Sequence, residues 1–272
     1  MDIGAQNTAQ KPATAARMYD YYLGGIHNFP ADQEAARRVI AQFPLMPVVA
    51  RANRAFLRRA VRNLVGAGIR QFLDIGSGIP TEGNVHEIAH ELAPDAHVVY
   101  VDIDPVAVAE SLEILDGNDL ATAIRMDLRN PRGILDHPAT RRLLDFSQPV
   151  GLLLAAVLHF VPEDAQAYGV VAQLVAAAPP GSYLAVSHVA AESFVPGNDK
   201  TRAAVDVYQR QTTTSVRPRD RSEIERFFGG LDLLEPGLVW VHEWRPDPAD
   251  TPPDHIANPQ ESGEWAGIGY KE

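Results

Sequence analysis

Five short apolar runs recur along this chain: QFLDI at 71–75, HVVYVD at 97–102, TAIRMD at 122–127, VGLLLAA at 150–156 and SYLAVSH at 182–188. The gap after each is long enough to hold a helix. Antiparallel neighbours can be joined by a tight turn, whereas parallel ones need a crossover of about a dozen residues. The spacing therefore predicts an α/β chain built on a parallel sheet with helices on both faces. The run at 150–156 is apolar throughout, as expected of a strand buried on both faces.

Before residue 70 no such run occurs, and the texture is helical. After a loose tail over residues 1–12, a helix is expected from Ala13 to Leu23, stopped by Gly24-Gly25. Pro30 opens a second through Gln42, and Pro47 a third to Val65, because proline is tolerated in a first turn. Val49, Ala52, Phe56, Ala60 and Leu64 give the third helix one apolar stripe. The first 69 residues thus read as an N-terminal helical cap and residues 70–272 as the α/β core, with a polar insertion over 192–216. Ser222 to Glu225 has capping-box spacing, for a helix running to Phe228 before Gly229-Gly230. Two late strands are expected at 238–244 and 265–271, separated by a Pro-rich loop over 245–262.

Composition removes several alternatives. The chain of 272 residues has no cysteine, so thiolate nucleophiles, disulfides and cysteine metal sites are excluded. The longest apolar run, at 150–161, is far short of the roughly 20 residues that span a bilayer, and the N-terminus lacks a signal-peptide pattern. A cytoplasmic protein with no membrane partner is expected. The net charge of −11 argues against a general nucleic-acid coat protein, although Arg51, Arg54, Arg58, Arg59 and Arg62 put a basic stripe on the third helix. That stripe reads as a solvated face opposite the apolar one. The charge is unevenly divided, +6 over residues 1–70 and −17 beyond.

The chemistry concentrates at FLDIGSGIPTEGN, residues 72–84. A strand runs into Gly76-Ser77-Gly78, and a helix is expected to begin near Thr81. Glycines permit a tight turn and close approach of a ligand to backbone N–H groups. Thr81 stands where the dinucleotide fingerprint needs Gly or Ala, and Asp74 would repel a pyrophosphate, so a nicotinamide oxidoreductase is disfavoured. Asp102 ends the second run and Asp127 the third, which gathers three carboxylates beyond the carboxyl ends of a parallel sheet, where such folds bind ligands. Carboxylates there suit a ribose diol, amines and a positive sulfur, the groups of S-adenosylmethionine.

FLDIGSG, VVYVDIDP, RMDL, LLLAAVLHFVPED and PPGSYLAVSH resemble, in order, the motifs of class I S-adenosylmethionine-dependent methyltransferases. ARMYDYYLGGIHNFPADQEAA, PTEGNVHEIA and WAGIGYKE are similar to one actinobacterial family of these enzymes long carried as a domain of unknown function. The resemblance implies a Rossmann-like, doubly wound seven-stranded sheet, six strands parallel and the last antiparallel. It implies that Gly76, Ser77 and Gly78 hold the methionine moiety with Asp74 near its amine. Asp102 would accept the ribose hydroxyls beside Ile103 or Asp104, and Asp127 would accept the adenine amine between Met126 and Leu128. For the methionine carboxylate the candidates are the turn's N–H groups or a fork from Arg17.

His159 follows the fourth strand and is the candidate general base, if the acceptor needs one. Tyr19, Tyr22, Asn28, His188 and Tyr208 are candidates for the cap and the acceptor cavity. His86-Glu87-Ile88-Ala89-His90 matches a zinc-helix motif, but it directly follows the glycine turn, where one face must pack on the sheet. Both histidines are therefore read as lying on the helix surface, with no metal. The expected function is methyl transfer from S-adenosylmethionine to a small-molecule acceptor. A non-catalytic binder of the same cofactor and an RNA methyltransferase are the rival readings. The methylated atom and the oligomeric state are not legible.

Overall fold

The computed structural model describes residues 12–80, 83–193, 199–212, 215–247 and 259–272. The tail 1–11, Thr81, and most of the 245–262 loop lie outside the described residues. The chain opens with three helices, α1 (Ala15–Tyr22), α2 (Pro30–Gln42) and α3 (Met46–Gly66). Thr14 caps α1 by accepting from the Arg17 N–H, and Pro30 fills the first position of α2, where its missing donor costs nothing. The alternating part follows as β1 (Gln71–Ile75), α4 (Val85–Leu92), β2 (His97–Asp102), α5 (Pro105–Ile114) and β3 (Ala121–Arg125). It continues with α6 (Pro131–Leu135), α7 (Pro138–Leu143), β4 (Gly151–Ala155), α8 (Asp164–Ala177) and β5 (Tyr183–Val189). The last elements are α9 (Asp199–Gln211), α10 (Arg221–Glu225), β6 (Asp232–Leu233), β7 (Val239–Trp240) and β8 (Glu264–Tyr270).

The sheet order is β3-β2-β1-β4-β5-β8-β6, with β7 also paired to β8. β1 to β5 are mutually parallel, β8 is antiparallel to β5, and β6 and β7 are antiparallel to β8. All strands but β8 therefore share one direction, as expected of this Rossmann-like architecture. The sheet has eight strands where seven are expected: β7 lies inside the expected 238–244 strand, and β6 is an additional short strand before it. Between them a turn closes from the Gly237 N–H to the Leu234 carbonyl, 2.7 Å, where Pro236 has no N–H to give a ladder. The strand expected over 238–244 stops at Trp240. Beyond it, buried Arg59 donates to the carbonyls of Val241 and Trp244, 2.9 and 2.8 Å, and holds that segment as a turn.

Strand alternation splits the interior into two layers. Phe72, Val98, Tyr100 and Leu153 face α3 and α4, meeting Phe56, Ala60, Leu64 and Ile88. Leu73, Ile75, Val99, Val101, Leu152 and Leu154 face the opposite layer, with Val170 and Leu174 of α8. By packing, α3 thus belongs to the sheet rather than to a separate cap. A third, smaller cluster joins Met18, Tyr22, Ala35, Ala36, Val39 and Ala50, with Val207 and Tyr208 of α9 against it. The roof over the sheet's carboxyl edge is consequently α1, α2 and α9, drawn from both ends of the chain.

Three local expectations are corrected. α4 starts at Val85, where Asn84 and Glu87 form the capping box, so a loop separates it from the glycine turn. β3 ends at Arg125, which leaves Asp127 two residues beyond the strand. α10 is capped by Asp220 and Glu223, not by Ser222 and Glu225, and passes into a 3-10 turn at Arg226–Phe228. No helix among the described residues is long and apolar enough to cross a membrane.

Candidate active site

The carboxyl ends of β1, β2, β4 and β5 open into a cavity of about 660 Å³ closed over by the three-helix roof. That volume is ordinary for a small-molecule site. Asp74, Gly76, Ser77, Gly78, Asp102, Ile103, Met126, Asp127 and Leu128 all line it, as do Arg17, Tyr19, His159 and Tyr208. Tyr22, Asn28 and His188 do not line it.

The glycine turn is shaped by its backbone rather than by a helix end. Gly76 has φ +75° and Gly78 φ +67°, and a Cβ on Gly76 would collide with the Val157 side chain. The turn's donors are used internally. The N–H groups of Gly76 and Ser77 reach the Val101 carbonyl at 2.7 and 3.2 Å, and that of Gly78 reaches Asp102 Oδ2 at 2.8 Å. The expectation that these N–H groups hold a ligand carboxylate is therefore not met. Their work is to tie the ends of β1 and β2 together and to fix the Asp102 carboxylate.

Asp102 is buried, and its second oxygen accepts from the Asp104 N–H at 2.8 Å. Each oxygen keeps a lone pair for a further donor. Burial pushes its pKa up to about 6, against the backbone hydrogen bonds that favour the ionised form. Asp74 is pushed to about 7, again by burial, against the pull of the Arg54 guanidinium. Ile103 is half exposed at the cavity rim. Asp127 is forked by Arg129, with Nη2 at 2.6 Å, and that guanidinium holds its pKa below the usual carboxylate range.

Several candidates have structural duties instead. Arg17 donates through Nε to Asp32 at 2.8 Å, through Nη1 to Asp104 at 3.0 Å and through Nη2 to the Pro12 carbonyl at 2.7 Å. Its fork is committed to binding the roof to the β2 edge, so the carboxylate-clamp expectation for Arg17 is corrected. Asp104, besides receiving Arg17, caps α5 by accepting from the Val106 N–H. Asn28 closes the turn after α1, donating to Asp20 and to the Gly25 carbonyl. Tyr22 meets the Tyr208 hydroxyl at 3.1 Å from behind.

His86 is buried, not on the surface, with Nδ1 at 2.8 Å from the Tyr100 hydroxyl, and His90 Nε2 meets the Ala96 carbonyl. Of the arginine stripe, Arg59 is buried and Arg54 lines the cavity, so the solvated-face reading fails for both. Arg51 is exposed, as that reading expects, and Arg58 and Arg62 are partly exposed.

His159 sits in a 3-10 turn after β4, 5% exposed, with Nδ1 unpartnered among the described residues. Burial, then the nearby Arg219 charge, drives its pKa down to about 3, so the imidazole is neutral. His188 stands behind it, ring centroids 5.5 Å apart, bonded to Arg219 and the Val189 carbonyl. Arg219 is itself buried against Asp164 at 3.0 Å. Ala156, also on the cavity wall, has φ +52°, a strained value for a residue with a side chain.

Sequence reasoning missed Asn53, Arg54 and Glu264 on the cavity wall. Asn53 lies one turn past Val49 on the buried stripe of α3, so helical spacing held a signal for it. Glu264 shares its strand face with Ala266 and Ile268, both fully buried, but the expected strand began one residue too late to include it. Its Oε2 has no hydrogen-bond partner among the described residues.

The sequence pattern of a family described as S-adenosyl methyltransferase matches residues 3–272. The chain is similar to a DUF574 family protein from Streptomyces avermitilis MA-4680, at 40% identity and a TM-score of 0.89 over 96% of this chain and 98% of that one. It is also similar to a candidate methyltransferase from Thermobifida fusca YX, at 37% identity and a TM-score of 0.88 over the whole of both chains. No curated protein matches significantly.

Proposed function

This chain belongs to the S-adenosyl methyltransferase family, and from that premise we propose that it methylates a small, largely apolar acceptor held under the α1–α2–α9 roof. The observation carrying this reading is the continuity of the cavity. The same cavity holds a buried carboxylate fixed at the tip of β2 and apolar walls from Val39, Phe43, Met46, Val49, Phe160 and Val205. The residues around that carboxylate fit S-adenosylmethionine: an acceptor-only carboxylate with free lone pairs suits a ribose diol, and Met126 and Leu128 offer apolar faces to a purine. When bound, that cofactor supplies a methyl group on positive sulfur, open to displacement by a nucleophile in line.

In this reading Asp102 accepts the ribose hydroxyls and Asp74 lies near the methionine amine, with Ile103 covering the rim. Arg54, beside Asp74 on the cavity wall, contributes a positive charge to the side where the methionine carboxylate would lie. Phe160, Tyr19 and Tyr208 orient the acceptor, and the roof excludes water. Orientation and desolvation then supply most of the rate. His159, neutral with a pKa about 3, serves as a hydrogen-bond partner rather than a proton store. The basic residues that would favour RNA are turned inward at Arg54 and Arg59, which supports the small-molecule reading.

The test is thermal denaturation and calorimetry with S-adenosylhomocysteine and NAD. The first should raise the melting temperature by mass action and the second should not. Asp102→Asn should weaken S-adenosylhomocysteine about 100-fold, the loss of two charge-assisted hydrogen bonds at roughly 1.5–3 kcal/mol each less what the amide retains. Unchanged affinity in that variant, or a shift with NAD alone, would sink the reading.

A further inference from the structure

Glu264 stands apart from the acids assigned to the cofactor. It opens β8, is 3% exposed, lines the cavity and has an unpartnered carboxyl oxygen among the described residues. Isolated carboxyl groups are rarely buried without a partner, because desolvation is not repaid. Tyr19 of α1 and Tyr208 of α9 line the same cavity; burial raises both phenol pKa values and the Glu264 charge adds to each, while Arg54 acts against it at Tyr19. Among the described residues no ion pair to Glu264 forms, and burial raises its pKa to about 8. Arg17, on the same cavity wall, is already bound to Asp32 and Asp104.

We propose that Glu264 is the specificity-determining group of the acceptor chamber and that the acceptor is an apolar molecule carrying a protonated amine. This rests on the methyltransferase reading above. An anionic acceptor group could pair only with the protonated carboxyl and would bring a second uncompensated acid into the cavity, which disfavours a carboxylate or phosphate at this point. A neutral hydroxyl can pair with the protonated carboxyl and brings no countercharge for its ionised form. An ammonium brings both a countercharge and three donors. Two of its N–H groups have places to go, the Glu264 carboxylate and the hydroxyl oxygen of a neighbouring tyrosine. Around that point Phe43, Met46, Val49, Phe160 and Val205 provide apolar and aromatic contact for the body of the molecule, and aromatic faces also favour a cation.

The pairing has a protonic signature. Near neutral pH the free Glu264 carboxyl is largely protonated, and binding an ammonium requires it to ionise. Binding therefore releases a proton from Glu264, not from Tyr19 or Tyr208, whose phenols stay protonated with raised pKa values. The ammonium keeps its own proton.

The experiment is isothermal calorimetry on the full chain saturated with S-adenosylhomocysteine, at pH 7, in phosphate and in Tris. The probes are 2-phenylethylamine, 2-phenylethanol and phenylacetate. The amine is expected to bind at least 10-fold more tightly than the alcohol, with phenylacetate weakest. Its heat should differ between the two buffers by the ionisation of close to one proton. Glu264→Gln, nearly isosteric, should abolish both the amine preference and the proton release while S-adenosylhomocysteine binds as in the parent. Equal binding of amine and alcohol, no binding of the amine, or an amine preference that survives Glu264→Gln would each overturn the proposal. Failure of S-adenosylhomocysteine to bind the parent chain would instead overturn the methyltransferase reading itself.

Discussion

Replacing Arg17 by methionine is expected to lower the unfolding free energy by about 3–5 kcal/mol, the usual cost of removing one partner from a buried ion pair. The guanidinium is 3% exposed and bridges Asp32 and Asp104, which are 0% and 4% exposed. Its carbon also lies 5.2 Å from the centre of the Phe29 ring. Without it, two carboxylates from different layers remain inside with the remaining donors only partly compensating them. Asp32 would keep the N–H groups of Thr14 and Phe29, at 3.0 and 2.8 Å. Asp104 would keep that of Val106 and the Thr14 hydroxyl. Arg17→Lys restores the charge without the planar fork, so it should recover part of the loss and not all. Urea denaturation of the three proteins measures this directly. A loss below 1 kcal/mol for Arg17→Met, joined to a large loss of S-adenosylhomocysteine affinity, would return Arg17 to the role of a ligand.

The second large effect is a fall in stability of about 2–3 kcal/mol between pH 6.5 and 8 for the unliganded protein. Glu264 titrates at about 8 and Asp74 at about 7 in the fold, both raised by burial above their ordinary values of 4.5 and 3.8. A raised carboxyl binds its proton more strongly folded than unfolded. Its contribution is complete below the unfolded pKa and is lost as pH rises through the folded one. Each pH unit over which a single group differs in this way is worth about 1.4 kcal/mol. Below pH 6.5 the buried histidines act in the opposite sense. His159, pushed down to about 3, and His188, also lowered by burial, must stay neutral in the fold. They partly offset Asp74, Asp102 and Glu264 over that range, while above it the carboxyls dominate. Glu264→Gln should remove most of the decline between pH 6.5 and 8, as read from melting temperatures at fixed ionic strength. A decline of the same size in that variant would contradict the assignment.

Much of the architecture is legible locally. β1 and β2 lie where their apolar runs lie, α2 begins at the proline that fits a first turn, and Gly76 stands where only glycine fits. These are consequences of periodicity and of sterics within a few residues. The errors fall where a distant partner decides. Asp220 rather than Ser222 caps α10, although both types suit the position. The 238–244 run has strand composition, yet Arg59 from α3 claims the carbonyls of Val241 and Trp244 and ends β7 early. Asp127 has the expected place near β3, but its carboxylate is met by Arg129.

The sequence by itself determined the α/β alternation and the acidic residues at the sheet's carboxyl edge, because strand pattern and crossover length are properties of chain segments. The reversal of β8 is expected from the family resemblance alone. Tertiary structure alone decided which charges serve structure and which face the cavity. Arg17 and Arg54 are equivalent as letters on helices, but one is spent between two buried aspartates while the other lines the chamber beside Asp74. Glu264 reads as an ordinary acid before a strand until α1 and α9 close over it. Burial and partnership depend on segments as far apart as Tyr19, Tyr208 and Glu264, and desolvation is set by their packing together rather than by any one of them.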